Sequence, residues 1–167
     1  HWLVSGHSAR ITRIEGSPSH LRWSPSGSHI AFAMTAKNPP PVLAKRPSAP
    51  EGAKWADKAR VTDRLYHERD GSGYVEPGFS HVYVVPAEGG TPRQVSEGNF
   101  HHRKPEWRSD GRALTITGNR SENWQYDFRN SEVYTIDLVS GDIAPLTTIS
   151  GPDDSHLPSP DGQWVAW

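Results

Sequence analysis

Two short stretches place a serine among small neighbours, as a hydrolytic nucleophile would need. They are "GHSAR" at 6–10, around Ser8, and "GFSHV" at 78–82, around Ser80. A nucleophile elbow requires Gly-x-Ser-x-Gly, because its strained strand-to-helix turn leaves no room for side chains beside the serine. The fifth positions here are Arg10 and Val82, and no helical periodicity follows either serine. Neither is read as catalytic, and no catalytic residue is assigned. Nine histidines raise the question of a metal. His101 and His102 in "GNFHHRKPEW" are adjacent, so in a strand they would face opposite ways. No HExxH or His-x-His pattern occurs, and these two are read as exposed loop residues. His20 in "SPSHLRW" and His156 in "DDSHLPS" occupy similar connections. A histidine shortly before an inner hairpin therefore reads as a repeat feature that packs or hydrogen-bonds locally. Asp127, Asp153 and Asp154 read as loop acids. Cysteine is absent, which removes disulfides, thiolate catalysis and cysteine-based zinc sites. No metal and no cofactor is expected.

The bulk composition narrows the rest. A chain of 167 residues suits one domain, and a mean hydropathy of -0.72 suits a modest core. The net charge of -1 gives no electrostatic footprint for nucleic acid or an anionic membrane. No apolar run approaches the roughly 18 residues of a membrane span. No positively charged start leads into an apolar run. Fifteen Gly, fifteen Pro and seven Trp point to many short strands joined by turns.

Those strands repeat. "WSPSGSHIAFAM" at 23–34, "WRSDGRALTIT" at 107–117 and "SPDGQWVAW" at 159–167 each hold a tight turn ending in glycine, then an alternating run. Their turn glycines are Gly27, Gly111 and Gly162. A second turn precedes each, at Gly6, Gly90 and Gly141, always 21 residues upstream. Tyr83 and Tyr134 each precede the next of these glycines by seven residues. "SHVYVV" at 80–85 and "SEVYTIDL" at 131–138 supply first strands, with "PRQVS" and "APLTTI" as returns. "KPEW" and "ALTIT" form the following hairpin. In 131–138, Val133, Thr135 and Asp137 share one face, and Tyr134, Ile136 and Leu138 the other, which fits a strand with one face better buried. The turn glycines fit positions needing positive φ. Trp23 and Trp107 hold one place in the repeat and are read as packing; Pro158 takes that place in the third copy.

The period is 51 residues between Gly90 and Gly141, but 84 between Gly6 and Gly90. The excess falls at 36–60, "AKNPPPVLAKRPSAPEGAKWADKAR", where Pro39, Pro40, Pro41, Pro47 and Pro50 cannot donate to a ladder. This is a surface insertion. Residues 61–79 form a further hairpin around "DGSG", or an ordered loop. Trp55 and Trp124, in loops, are read as packing the insertion onto the sheets, with ligand recognition as the alternative. Four short strands per roughly 40–50 residues mark a β-propeller blade. The expected fold is all-β: a partial β-propeller of four-stranded antiparallel blades, about two to three of them, with the ring not closed. Residues 1–167 are one piece of that domain. A β-sandwich is the rival. The stop at Trp167, inside a hairpin, is expected to be a truncation.

The stretches "WSPSGSHIAFAM", "KPEWRSDGRALTITGNRSENWQYDFRNSEVYTIDLVSGDIAPLT" and "SPDGQWVAW" resemble the propeller of the prolyl oligopeptidase family. The block "PEGAKWADKARVTDRLYHERDGSGYVEPGFSHVYVVPAEGGTPRQVSEG" resembles its acylaminoacyl-peptidase and bacterial dipeptidyl-peptidase-like branch. The resemblance implies a serine peptidase whose propeller gates and walls the cavity of an α/β-hydrolase domain absent from this chain. It implies a peptide substrate reached through the parent enzyme, with the missing blades and hydrolase in the same polypeptide. On that view Glu68 and Asp70 could bind a substrate amine, and Arg64 and Arg69 a peptide carboxylate. Asp70 before Gly71 also reads simply as a turn former. The compartment stays open between periplasm and cytoplasm, with export slightly favoured by the resemblance alone. The alternative is a non-enzymatic Tol-type propeller that binds protein partners and shares the same hairpin turns.

An open ring leaves strand edges and apolar sheet faces uncovered. Residues 1–167 produced alone should self-associate or be poorly soluble. A monodisperse, cooperatively melting monomer in sedimentation and thermal scans would contradict this.

Overall fold

The computed structural model describes residues 3–38, 47–56 and 61–167. In chain order the strands are β1 (Ser19–Trp23), β2 (His29–Lys37), β3 (Glu68–Arg69), β4 (Gly73–Tyr74), β5 (Gly78–Pro86) and β6 (Arg93–Gln94). Then come β7 (His102–Trp107), β8 (Ala113–Gly118), β9 (Glu132–Asp137), β10 (Ile143–Pro145), β11 (Leu157–Pro158) and β12 (Val165–Ala166). β1, β2, β5 and β6 form one four-stranded antiparallel sheet, and β7 to β10 a second. β11 and β12 begin a third. β3 and β4 make a small separate hairpin inside the insertion. These are successive blades of an unclosed propeller, as the repeat predicts.

The three inner hairpins are built alike. Gly27, Gly111 and Gly162 have φ of 71°, 67° and 72°, and their N–H groups donate to the carbonyls of Ser24, Arg108 and Ser159. The N–H groups of those same three residues donate across the turn to His29, Ala113 and Trp164. Asp110 and Asp161 accept, through Oδ1, the N–H two residues on. A second device was not visible in the sequence. His20, Lys104 and Ser155, each seven residues before its turn glycine, have positive φ of 52°, 50° and 65°. At His20 and Lys104 the ladders with β2 and β8 shift register. β1 and β7 are therefore bulged at one fixed place, and Ser155 repeats the backbone conformation just ahead of β11.

The two full sheets meet face to face. Ala31, Val82 and Val84 from one pack on Leu114, Ile116 and Ile136 from the other, with Trp107, Tyr134 and Ile143 at the margin. The opposite face of the first sheet, with Ile30, Phe32, Tyr83 and Val85, is covered by Ile11 and Ile14. The expected hairpin around Gly6 is corrected here. Residues 6–16 form no strand but lie across that face, and the Ile11 carbonyl oxygen accepts a hydrogen bond from Gly90 N–H instead of joining a ladder. The one-sided burial expected for 131–138 is also corrected: Val133 and Ile136 point to opposite faces and both are fully buried. Trp107 is packed and bonds Arg22 O through Nε1, whereas Trp23, its repeat counterpart, is 63% exposed.

The two consecutive parts expected at 36–60 and 61–79 fall within one connection over 38–77, because β2 continues to Lys37 and β5 starts at Gly78. Of its prolines, Pro39, Pro40 and Pro41 lie outside the described residues, while Pro47 and Pro50 lie outside any strand. β2 and β5 are each nine residues long, against six in β8 and β9. The additional pairs are Thr35 with Ser80, Ala36 with Phe79 and Lys37 with Gly78. The first sheet is thus three residues taller at the end where the insertion leaves.

Each sheet also ties its third strand with a buried hydroxyl. Ser96 Oγ accepts Val82 N–H at 2.8 Å, and Thr147 Oγ1 accepts Val133 N–H at 2.9 Å. Both pairs stand 51 residues apart, and both hydroxyl residues are buried. Replacing Thr147 by Val keeps the shape and removes the acceptor, leaving a buried N–H unpaired. Thr147→Val should lower stability by about 1–3 kcal/mol in denaturant titrations of the full-length protein. A change within error would show that the hydroxyl is dispensable.

Candidate functional site

Antiparallel meanders place their connections alternately at the two ends of a sheet. At one end of both sheets lie only tight turns, around Gly27, Gly90, Gly111, Gly141 and Gly162. At the other end lie the insertion, 95–101, 119–131 and 146–156. Side chains that could act together gather at this second end, over the extra height of β2 and β5.

Phe79 is the root of the cluster. Its ring lies 5.2 Å from His101 and 5.9 Å from Trp124, and Trp124 meets His101 edge-on at 5.8 Å. The Arg64 guanidinium sits 4.4 Å from the Phe79 ring centroid, and its Nη1 donates to Gly78 O at 3.0 Å. Behind this layer, His81 and His102 stand 5.8 Å apart. Arg120 Nη1 lies 3.0 Å from His102 Nε2, with its guanidinium also over Phe100 and near Tyr134. Gly118 is required beneath them: a Cβ there would come within 2.9 Å of His101 O.

The hydrogen bonds fix the protonation of two rings. A guanidinium can only donate, so His102 Nε2 is an acceptor and the ring proton sits on Nδ1. That Nδ1 is buried and has no partner. Ser80 N–H donates to His101 Nδ1 at 3.1 Å, so His101 carries its proton on Nε2. Burial, with Arg120 and the neighbouring histidines, depresses His102 to about 3. Burial, with Arg103, Arg64 and His81, depresses His101 to about 4. Burial lowers His81 as well, opposed by Glu97. All three are neutral at pH 7. His101 and His102 are therefore not the exposed loop residues expected: His102 is fully buried at the start of β7, and His101 is half-buried.

The other histidine expectation needs correction too. His156 is buried, with Nδ1 3.1 Å from Thr117 Oγ1, while His20 is exposed and falls one place earlier in the repeat. They are not equivalent residues. Asp154 pairs with Lys104 at 2.7 Å, and Asp153 N–H donates to Ser131 O. Asp127 O accepts Asn119 Nδ2. Among the described residues no group of three or more His, Asp or Glu is placed to hold a metal.

Of the four residues singled out in the insertion, Arg64 reaches this cluster and the other three do not. Glu68 and Arg69 form β3, exposed, and Asp70 occupies the β3–β4 turn. Arg69 Nε donates to Tyr66 Oη at 2.8 Å. The hairpin is anchored to the 119–131 connection by Leu65 N–H donating to Gln125 Oε1 at 3.0 Å. Sequence reasoning missed Phe79, His81 and Arg120. Only His81 left a trace, as a polar residue within an apolar strand. Ser80 is buried in β5 and Ser8 lies in an exposed irregular segment, so neither sits on an elbow.

No family model matches the chain. An uncharacterized protein of Agrobacterium fabrum is 30% identical over 148 residues, covering 86% of this chain and 47% of that protein. The chain thus spans about half the length of this curated relative. TolB from Acinetobacter baumannii aligns with a TM-score of 0.50 and 15% identity, over 91% of this chain and 26% of that one. A putative TolB from Agrobacterium tumefaciens aligns at 24% identity and a TM-score of 0.46, over 91% and 53%. The first of these structures bears out the propeller fold. The resemblance to the prolyl oligopeptidase family, with its serine peptidase and hydrolase assignments, is overturned, since the structure that shares the fold is a TolB protein. The physical reason is plain in the hairpins. Ser-Pro-Asp-Gly serves a turn geometry that all propellers of this type need, so it does not separate one family from another.

The depressed histidines have a definite sign. In the unfolded chain they take up protons near pH 6.5, and in the folded chain near 4 and 3. Between those values the unfolded state binds more protons, so stability rises with pH. For the full-length protein, the denaturation midpoint should be flat above pH 7 and fall steadily from 6.5 towards 4. A flat profile across that lower window would contradict the buried, neutral placement.

Proposed function

We propose that this chain is part of a non-enzymatic, Tol-type β-propeller that binds protein partners at the end bearing its long connections. The observation that carries this reading is the segregation of the connections. The tight turns that join strands within the blades, around Gly27, Gly90, Gly111, Gly141 and Gly162, lie at one end of the sheets, and the longer connections lie at the other. The fold similarity to TolB supports the Tol-type part. Leu65, Tyr66, Tyr126 and Phe128, in the insertion and the 119–131 connection, are exposed and available to a partner. In this reading Glu68, Arg69 and Asp70, on the insertion hairpin, touch the partner. Arg64 supports the hairpin from beneath.

A photo-cross-linking residue at position 69 or 128 of the full-length protein, in its native host, should capture a discrete protein adduct. The same residue at 112 or 140, on the tight-turn end, should not. Adducts from the tight-turn end alone would place the partner elsewhere. Labelling of the full-length protein by a fluorophosphonate would overturn the non-enzymatic reading.

A further inference from the structure

We infer that His101 and His102 form an acid-operated latch, which holds residues 119–131 and the root of the insertion against the sheets and releases them when the rings are protonated. The inference stands independently of the partner-binding reading.

The geometry makes the two states exclusive. His102 already carries a proton on Nδ1, so a second must go to Nε2, the atom that accepts from Arg120. His101 carries its proton on Nε2, so a second must go to Nδ1, the atom that accepts from Ser80 N–H. Neither donor can reverse its role, because a guanidinium and a backbone amide have no lone pair to offer. Protonation therefore turns each hydrogen bond into a donor facing a donor. The surroundings do not absorb the new charge. Facing the pair are Arg64 from the insertion, Arg103 on β7, Arg120 beyond β8, and His81 on β5. Glu97 acts on His81, Arg120 and Glu132 act on Tyr134 of β9, and Thr147 Oγ1 donates to the Glu132 carboxylate. No ion pair joins a carboxylate to either ring among the described residues.

What would move is also delimited. Residues 119–131 hold their own shape, through Asn119 Nδ2 to Asp127 O and through Asn119 Oδ1 accepting from Ser121. Residues 120–125 touch the rest of the site through Arg120 on His102, Phe100 and Tyr134, Trp124 on His101 and Phe79, and Gln125 on Leu65, while Asn130 and Ser131 tie the far end of the segment to Gly151 and Asp153. Of the attachments made by 120–125, one of those of Arg120 and one of those of Trp124 run through the histidine pair. The ladder of β8 with β9 does not involve either ring, so the segment can lift while the sheet stays whole.

Hydrogen exchange by mass spectrometry on the full-length protein tests the latch, at pH 7.5 and pH 5, corrected for intrinsic exchange rates. Amides of 119–131 should exchange at least tenfold faster at the lower pH, with β8 and β9 unchanged. In the His101→Asn, His102→Gln variant, amide oxygens replace the accepting nitrogens and do not titrate, so protection should be independent of pH. An unchanged wild-type segment, or an equal response in the variant, would overturn the inference. Should the variant fail to fold, imidazole NMR titration of the wild type decides. Ring protonation that tracks the loss of 119–131 protection supports the latch, and ring protonation without that loss refutes it.

Discussion

A sheet with two apolar faces cannot stand alone in water, and the rest of this structure follows from that constraint. β5 has eight consecutive buried residues and β8 has six, so both faces of each central strand must be covered. At about 25 cal/mol for each Å² of apolar surface removed from water, such faces favour stacking of one sheet on the next. Stacking fixes the strand register, since a slip of one residue would exchange the two faces. Register in turn fixes where each strand ends, and the strand ends decide which residues meet in the histidine cluster.

The fold was legible because its turns are geometric necessities. Gly27, Gly111 and Gly162 sit at positive φ in identical hairpins, and equal spacing of such residues reveals equal blades. What periodicity could not reveal was burial on both faces. Val133 and Ile136 lie on opposite sides of β9, and an alternating pattern has no way to signal a second neighbour. The Gly6 turn matched the spacing, yet the residues that follow it form no strand, and Ile11 and Ile14 cover Phe32 and Val85. The family resemblance failed for a related reason. It rested on hairpin and insertion residues that answer to blade geometry, not to chemistry.

The site was much less legible. Arg64 stands out in sequence only as a charge in the insertion, and its contacts with Phe79 and Gly78 O come from residues fourteen and fifteen places on. His101 and His102 read as loop residues because polar neighbours surround them in sequence. Their burial comes from Phe79, Trp124 and Arg120, which approach from three other parts of the chain. The hydroxyls of Ser96 and Thr147 were equally silent, although they occupy the same place in successive repeats. Each of these residues has a role set by a distant partner, and spacing along one chain does not encode that.

The unequal connections at one end of the sheets have a thermodynamic consequence. The link between β2 and β5 covers residues 38–77, about three times the length of the link between β8 and β9 at 119–131. Closing a chain three times longer costs only about 1 kcal/mol of additional entropy. At the opposite end, the turns at Gly27, Gly111 and Gly162 are each closed by a glycine N–H at positive φ, a bond that a longer segment would lose. New sequence is therefore accepted at little cost at the connection end, and variation among relatives should accumulate on that side.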